Sequence, residues 1–566
     1  MGAAGLASPA ARLVDPFNGA ILIIVTFEED PIRSDSMTSE FAAQSRTVGA
    51  ASPPRTKPSM LSRHSDVNLA LMSAALAWVL AVVGSWNASL WTDEAATISA
   101  ARRSLPELWA MVQNIDAVHG LYYLFMHFWV GLFGESALWL RMPSALAIAA
   151  AAAGVFLLAR ALGGPALGMT SAAVFAVLPR ITWAGMEARP YAFSAAAAVW
   201  LTLVLMVALR RRTTPWWLAY SGLAAVSIGI NLYLVFILAA HALTVLALRR
   251  ASWRTCIAWS LAAMLGALIS APVVYLSATQ SGQLNDDELR WSSWLRNVAV
   301  NQWFLGDTPT GGYPQTGAAG LWKISAVLLA GVCGLVMIYA LLVILRTPGG
   351  GSKRGYLAWI VPQIALPTLV LGLYSLYIHP MYSPRYLTLS APAVAVLIGA
   401  GMLRLRPAWL RGCVGISIIL LALPVYVSQR EVHAKSGADW SVVAGYIQEH
   451  KTANDAVYFS PRYPPAGDHV LLTLRRVAVA YPDAFTGLRD LTVETPGAQD
   501  GTLDGTSRLL AVSMTGLEEV DRIWVIRRLD YPVESARLDD NRLKAAGYQS
   551  RAAWAGPVNS IVEFHR

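Results

Sequence analysis

Long apolar stretches recur along most of this chain, and they constrain its fold more than any other feature. Each runs for about 18–24 residues, enough for an α-helix to cross the hydrocarbon core of a bilayer. Of the 566 residues only 14% are charged, against about 25% in soluble globular proteins. This pattern predicts an all-α polytopic membrane body and excludes an ordinary cytosolic enzyme. Eleven spans are expected, at 67–86, 138–159, 164–183, 191–209, 215–230, 232–248, 256–276, 323–345, 356–376, 386–403 and 411–428.

The distribution of charge divides the chain into three predicted parts. Residues 1–66 are rich in Ser, Pro, Ala and Arg and are expected to be a disordered cytoplasmic extension, in which Met60 is an equally sensible start site. Residues 67–430 form the membrane body. Residues 431–566 carry 15 basic and 18 acidic side chains, so about a quarter are charged, as in a soluble domain. This C-terminal part is expected to be a small α/β domain, with a helix from 439 to about 450 and strands at 456–459, 523–526 and 562–564.

Basic clusters indicate which way the spans point. The first 430 residues carry 29 basic and 17 acidic side chains, and the basic ones gather at alternate span ends, as at Arg210–Arg212. The positive-inside rule places these ends and the N-terminus in the cytoplasm. It also makes Leu121–Phe133, an apolar piece too short to span, a juxtamembrane helix in a first external loop at about 87–136. The sequence therefore predicts a multi-pass plasma-membrane protein with its C-terminal domain outside the cytoplasm and no nucleic-acid partner.

Two adjacent carboxylates, Asp93 and Glu94, directly follow the first span. An ionised carboxylate at the membrane face can act as a general base toward a hydroxyl or an amine that lies within hydrogen-bond reach. The same pair could be ordinary interfacial acids. Further along the loop, His119, Tyr122 and Tyr123 offer hydrogen-bond donors at the start of the juxtamembrane helix, or serve only as interface anchors.

Three arginines, Arg141, Arg189 and Arg385, are expected at outer span ends. A planar guanidinium can hold two phosphate oxygens at once, so these residues are candidates for stabilising a phosphate leaving group. Snorkelling of the side chains toward lipid headgroups is the alternative. Glu187 is expected to pair with Arg189 or to help bind a metal. No cluster at ligand spacing specifies a metal, so the cofactor stays open, with a divalent cation as one option.

Five short motifs occur along the chain, and their order is more specific than any one of them. They read Asp-Glu at 93–94, Asp-x-x-His-x-Leu-Tyr-Tyr at 116–123, Leu-Arg-x-Pro-Ser-Ala at 140–145, Glu-Ala-Arg-Pro-Tyr at 187–191 and Ser-Pro-Arg-Tyr-Leu at 383–387. With this ordered set the chain resembles the membrane glycosyltransferases of the GT-C fold. It is most similar to the family 39 or protein-O-mannosyltransferase-like group, which includes the aminoarabinose transferases of lipid A.

The resemblance implies transfer of a sugar, with mannose favoured, from a polyprenyl-phosphate donor to an acceptor on the extracytoplasmic face. It implies that Asp93 is the catalytic base. The family's second motif usually reads His-Pro-Pro-Leu-Tyr-Tyr, and here Gly120 replaces the prolines. Donor or acceptor binding is expected from Glu94, His119, Tyr122, Tyr123, Arg141, Glu187, Arg189 and Arg385.

A polytopic transporter or a lipid or glycolipid flippase is the alternative to an enzyme. Transport usually requires ionisable groups or broken helices near the middle of the bilayer. His241 and Asn231 are the strong candidates in the spans, and neither is repeated in a second half of the chain. A structural membrane protein would leave the order of the motifs as a coincidence. Whether the acceptor is a protein, a glycolipid or a glycan stays open.

Overall fold

The computed structural model describes residues 60–248, 252–283, 288–306, 308, 320–346, 350–463, 469–470 and 472–566. Of the predicted N-terminal extension, residues 1–59 lie outside the described residues. The described chain begins with a helix at Met60, seven residues before the first predicted span.

Helices account for most of the described chain. The α-helices are α1 (Met60–Val82), α2 (Thr92–Ala101), α3 (Leu105–Asn114), α4 (Gly120–Phe133), α5 (Ala137–Gly163), α6 (Pro165–Val177), α7 (Pro179–Ala184), α8 (Tyr191–Arg211), α9 (Thr214–Ile230), α10 (Val235–Ala247), α11 (Trp253–Ile269), α12 (Ala271–Thr279), α13 (Trp291–Arg296), α14 (Gln302–Phe304), α15 (Leu321–Arg346), α16 (Gly350–Tyr377), α17 (Ala391–Arg404), α18 (Ala408–Ser428), α19 (Trp440–His450), α20 (Arg476–Ala480), α21 (Pro482–Phe485), α22 (Gly497–Asp500) and α23 (Val533–Ala545). Short 3-10 helices lie at Ala117–His119, Leu232–Leu234, Ser281–Gln283, Pro384–Ser390 and Leu510–Val512, and a π-helical turn lies at Asn297–Asn301.

Fewer full-length spans are present among the described residues than the eleven that the sequence predicts. Seven helices are long and apolar enough to cross a membrane, and an eighth is added if α11 and α12, which meet at 53°, form one broken span. The seven are Ser65–Val82, Ala137–Gly163, Tyr191–Arg211, Leu321–Arg346, Gly355–Tyr377, Pro384–Arg404 and Ala408–Ser428.

The three remaining predicted spans, at 164–183, 215–230 and 232–248, form shorter helices. α6, α9 and α10 have 13, 17 and 13 residues, fewer than the roughly 20 that a straight span needs. α6 stops because Leu178 precedes Pro179, which disfavours helical backbone at the residue before it. Apolar composition alone does not reveal such breaks, so the predicted count of eleven is not confirmed.

The juxtamembrane piece and the helical body agree with the prediction. α4 has 14 residues, too few to span. In the body, α5 packs against α1, α6 and α8. α17 lies inside, with its first twelve residues all buried, whereas α18 leaves Ile416, Leu420 and other apolar side chains exposed outward. An outward apolar face of this kind suits a lipid environment.

The C-terminal domain is α/β, as predicted. Its described strands are β1 (Asp455–Phe459), β2 (His469–Val470), β3 (Arg489–Asp490), β4 (Val493–Thr495), β5 (Thr506–Arg508), β6 (Arg522–Arg528), β7 (Gln549–Ala555) and β8 (Asn559–His565). The main sheet has the order β3-β1-β6-β8-β7, in which β1 pairs in parallel with β3 and β6, and β8 pairs antiparallel with β6 and β7. A second, antiparallel sheet has the order β2-β5-β4. The predicted fold class, a helical membrane body followed by a small α/β domain, is confirmed.

The C-terminal domain shares a hydrophobic core with the loop between α1 and α5, here called the first loop (residues 83–136). Ile98 and Met111 of the first loop are buried in one cluster with Trp440, Phe459 and Trp524 of the C-terminal domain. Because they share this core, the first loop and the C-terminal domain must lie on the same side of the membrane.

A buried ion pair fixes the first loop to the helical body. Arg141 of α5 donates from Nε to Glu94 Oε1 at 2.7 Å and from Nη2 to Glu94 Oε2 at 2.6 Å, and both side chains are at most 1% exposed. Arg141 also donates to the carbonyl oxygens of Ala88 and Ser89, and Glu94 Oε1 accepts from the backbone N–H of Ala188. These further hydrogen bonds satisfy charges that would be expensive to bury unpaired.

Removing one member of this pair is expected to destabilise the fold strongly. Glu94→Ala leaves the guanidinium of Arg141 buried without its anion, and loss of one partner from a buried pair costs about 3–5 kcal/mol. Thermal unfolding of the purified protein in detergent measures the loss. The matched control is Glu135→Ala in the same loop, whose ion pair with Arg102 is about one-third exposed on each side and is worth less than about 1 kcal/mol. Equal melting temperatures for the two variants would contradict the assigned role of the pair.

Orientation is the second expectation from the fold. The first loop and the C-terminal domain lie on the same side of the membrane, and the positive-inside rule predicts that this side is outside the cytoplasm. A reporter that is active only outside the cytoplasm should therefore be active when fused after Arg566 and silent when fused after Arg212, at the basic end of α8. The reverse pattern would overturn the predicted orientation while leaving the shared core intact.

Candidate active site around Asp93

Asp93 and Glu94 are neighbours in the first turn of α2, yet their side chains have different surroundings. Glu94 is fully buried in the pair with Arg141, whereas the Asp93 side chain remains 17% exposed. Successive helix residues point in directions about 100° apart, so anchoring Glu94 turns Asp93 away from α5. Of the two carboxylates, Asp93 is the one that a ligand can reach.

Two arginines that are distant in sequence meet at Asp93. Arg385 donates from Nη1 to Asp93 Oδ2 at 2.9 Å, and Arg189 Nε lies 3.8 Å from the same oxygen. Arg189 lies in the turn between α7 and α8, and Arg385 lies in the 3-10 helix that leads into α17 and packs against α8. The predicted residues Asp93, Arg189 and Arg385 are thus brought together.

A second carboxylate, Asp116, extends this charged group. The Tyr123 hydroxyl accepts from Arg189 Nη1 at 2.7 Å and donates to Asp116. Arg189 Nη1 lies 3.8 Å from Asp116, and His119 Nε2 lies 3.9 Å from it. The backbone of Asp116 is left-handed, with φ of +61°, a conformation that Asp tolerates better than most residues. Asp116 directly precedes the 3-10 helix that ends at His119. It was not among the predicted site residues, although the Asp-x-x-His motif contained the signal.

Aromatic rings surround the Arg385 guanidinium. Its carbon lies 5.6 Å from the centre of the Trp91 ring and 5.8 Å from those of Tyr191 and Tyr386, which are cation–π distances. Tyr386 stacks in turn on Tyr233, with ring centres 5.2 Å apart. The Arg385 side chain is 27% exposed, against 17% for Asp93 and 9% for Arg189, so it is the most accessible of the three.

Glu187 has a different partner from the one that the sequence suggested. It forms a buried ion pair with Lys435, which lies between α18 and α19, and not with Arg189. Glu187 Oε1 also accepts from Trp91 Nε1 at 2.7 Å. The sequence does not indicate Lys435 as a site residue, because a single lysine in a polar segment belongs to no recognisable motif. Tyr122 is also buried, with its ring packed against Phe193.

The charges around the site keep its carboxylates ionised. Burial alone raises the pKa of Asp93, but Arg189, Arg385 and His119 outweigh burial and the pKa lies below its usual value. Burial likewise raises the pKa of Asp116, and His119, Arg189 and the Tyr123 hydroxyl more than compensate. Burial and the charge of Arg189 lower the pKa of His119 to about 4. At neutral pH the histidine is therefore neutral, and the arginines keep Asp93 ionised.

Within the part of the chain that the structure describes, no group of three His, Cys, Asp or Glu side chains is placed to hold a metal ion. Asp116 and His119 are the closest acid–histidine pair at the site. A divalent cation stays one option for the cofactor, as the sequence left it.

The two polar residues that were the candidates for a transport role, His241 and Asn231, are both hydrogen bonded inside the helical body. His241 is hydrogen bonded through Nε2 to Thr202 and through Nδ1 to Tyr220, each at 3.0 Å. Asn231 donates to Ser194 and accepts from the backbone of Tyr233. Buried polar groups with all partners in place are typical of packing between helices.

The chain is similar to several solved structures. Two are ArnT from Cupriavidus metallidurans, one bound to undecaprenyl phosphate and one in the apo state. The bound form is 13% identical to this chain, with a TM-score of 0.48, and the match covers 88% of this chain and 97% of the ArnT chain. The apo form is 14% identical, with a TM-score of 0.49, and the match covers 89% of this chain and 98% of the ArnT chain. A third is the apo oligosaccharyltransferase from Archaeoglobus fulgidus, which is 11% identical, with a TM-score of 0.41. The match covers 82% of this chain and 70% of the oligosaccharyltransferase chain. No curated protein sequence matches the chain.

One family model also matches part of the sequence. Residues 119–276 match the family described as dolichyl-phosphate-mannose-protein mannosyltransferase. The matched segment begins at His119 and includes Tyr123 and Arg189 of the candidate site. This match agrees, over residues 119–276, with the resemblance that the ordered motifs predict.

Proposed function

We propose that this protein transfers a sugar from a polyprenyl-phosphate donor to an acceptor outside the cytoplasm, with Asp93 as the general base. The observation that carries the proposal is the meeting of one accessible carboxylate with two arginines, Arg189 and Arg385, near the ends of apolar helices. A base for the acceptor and cations for a phosphate are the two groups that this reaction requires.

The proposed step is a displacement at the anomeric carbon of the donor sugar. The acceptor oxygen or nitrogen forms a bond to that carbon while the carbon–oxygen bond to the phosphate breaks, and the phosphate leaves with the bonding electron pair. The proton of the acceptor passes to the Asp93 carboxylate. Because its pKa lies below the usual value, Asp93 is ionised and able to accept the proton at neutral pH.

The arginines are proposed to bind the leaving phosphate. Negative charge grows on the phosphate oxygens as the sugar departs, and fixed cations stabilise that charge. Arg385 is the better placed of the two because its side chain is 27% exposed, against 9% for Arg189. The planar guanidinium can hold two phosphate oxygens while the surrounding aromatic rings keep it oriented.

Other predicted site residues are proposed to act at different distances from the donor. His119 lies beside Asp116, and the Tyr123 hydroxyl accepts a hydrogen bond from Arg189. We infer that both residues line the site. Glu94, Arg141 and Glu187 are buried in ion pairs, so we infer that they position Trp91 and Asp93 and do not touch the donor or the acceptor.

Asp93→Asn is expected to abolish sugar transfer while leaving the protein folded and inserted. The amide cannot accept the proton, and a positioned general base typically contributes 10²–10⁴-fold, so we expect a loss of at least about 100-fold. The assay follows labelled sugar from a lipid-linked donor in membranes that contain each variant. Glu135→Gln, which changes an exposed carboxylate in the same loop, is the control and should remain active. Full activity of Asp93→Asn would remove this residue from the mechanism.

The donor sugar is proposed to be mannose, in line with the resemblance and with the name of the family that matches residues 119–276. Membranes incubated with a panel of polyprenyl-phosphate sugars should yield a product whose mass increases by one hexose with the mannose donor. Membranes that lack the protein provide the baseline. A mass increase of one aminopentose instead would assign aminoarabinose, and no transfer from any donor would refute the proposed function.

A further inference from the structure

We propose that Asp116 is a positioning residue for the reaction. Through the Tyr123 hydroxyl it holds Arg189 beside Asp93 and prevents the guanidinium from forming a hydrogen bond with the base. The proposal rests on the function proposed above, in which Asp93 is that base. It assigns a role to the second carboxylate of the site, which takes no part in the displacement step itself.

Arg189 lies between the two carboxylates of the site. Its Nη1 donates to the Tyr123 hydroxyl at 2.7 Å and lies 3.8 Å from Asp116 Oδ2, while its Nε lies 3.8 Å from Asp93 Oδ2. A separation of 3.8 Å allows Coulombic attraction but is too long for a hydrogen bond. Among the described residues, Arg189 Nε has no hydrogen-bond partner. The guanidinium is therefore bonded on the side of Asp116 and only near Asp93.

The Tyr123 hydroxyl links Asp116 to Arg189. A hydroxyl has one proton, and this one is donated to Asp116 Oδ2, so the lone pairs of the oxygen remain for the N–H of Arg189. The Tyr123 side chain is completely buried, and its ring packs edge-on against His119 with ring centres 5.8 Å apart. Because the ring is held in this way, its hydroxyl fixes the position of Arg189 Nη1.

The turn that carries Asp116 is attached to the helical body by Gln280, which directly follows α12. Gln280 Oε1 accepts from the backbone N–H of Ala117 at 2.8 Å, and Gln280 Nε2 donates to the carbonyl of Val112 in α3 at 2.9 Å. This one amide therefore connects the end of α3 with the residue after Asp116. The carboxylate and the phenol that hold Arg189 are thus both fixed by their own contacts.

Two carboxylates share one cation in this arrangement. If Asp116 lost its charge, Arg189 would be attracted by Asp93 without competition, and a movement of about 1 Å would bring its Nε within hydrogen-bond distance. Asp93 already accepts a hydrogen bond from Arg385 at 2.9 Å. A second charge-assisted hydrogen bond would stabilise the ionised carboxylate further and make it a weaker base. Asp116 therefore preserves the basicity of Asp93.

Asp116→Asn tests the proposal, because it removes the charge while Asn tolerates the left-handed backbone at this position. Displacements of about 1 Å at a reacting group can cost 10²-fold, so kcat should fall about 10- to 100-fold, with the donor KM within about 3-fold of the wild type. Tyr123→Phe removes the hydroxyl that fixes Arg189 and should show the same pattern with a smaller loss of kcat. The full-length variants are assayed in membranes with the labelled polyprenyl-phosphate sugar that the wild type transfers.

A double-mutant cycle shows whether Asp116 acts through Arg189. In an Arg189→Gln background there is no guanidinium to restrain, so adding Asp116→Asn should change kcat by less than about 2-fold. If Asp116→Asn does not accumulate, Tyr123→Phe takes its place in the cycle. Asp530→Asn makes the same substitution at a carboxylate of the C-terminal domain whose side chain is 65% exposed, and this control should keep the wild-type kcat and KM.

Three results overturn the proposal. An unchanged kcat in Asp116→Asn, or losses that multiply in the double variant, shows that Asp116 does not act through Arg189. A raised donor KM at unchanged kcat shows that Asp116 binds the donor directly. A loss of activity accompanied by an equal loss of folded protein, measured by melting temperature in detergent, shows a structural role only. Asp93→Asn is assayed in parallel, because activity in that variant refutes the proposed base, whereas a failure confined to Asp116 leaves the base intact.

Discussion

The buried ion pair between Glu94 and Arg141 is the interaction on which the rest of the site depends. It joins a loop segment to a membrane-spanning helix in a place that water does not reach, where both charges must be fully hydrogen bonded to be tolerated. Because Glu94 is used for this purpose, Asp93 points in a different direction, toward Arg385. Two adjacent acids therefore differ in role because their surroundings differ: Glu94 stabilises the fold, and Asp93 is proposed to act in the reaction.

The membrane body and the C-terminal domain are built as one unit around α2. The helical body supplies Arg141, Arg189 and Arg385, and the C-terminal domain supplies Tyr481 and the carbonyl of Leu503. Both groups hold the same ten-residue helix. A helix this short is marginal on its own, so its orientation must come from these tertiary contacts. Under the proposed function, separation of the domains would disturb the base as well as any acceptor site.

The arrangement of charge also separates the enzyme interpretation from transport. Ionisable groups gather at the ends of the helices around Asp93, while the polar groups inside the helical body, such as His241, are occupied by neighbouring side chains. Asp93 and Arg385 form an ion pair at 2.9 Å. Under the proposed function, a phosphate that binds the arginine would release the carboxylate toward an incoming acceptor.

The sequence by itself determined the class of fold, the α/β nature of the C-terminal domain and the motif residues that converge at the site, because apolar runs and local motifs are properties of consecutive residues. The sequence did not determine the lengths of the spans, since a single residue such as Pro179 interrupts a helix while hardly changing the average hydropathy of the segment. Only the tertiary structure decided which charges pair. Glu187 pairs with Lys435, and Arg385 pairs with Asp93, across hundreds of residues. The choice of partner depends on three-dimensional distance and on burial, and neither is encoded in the local order of the chain.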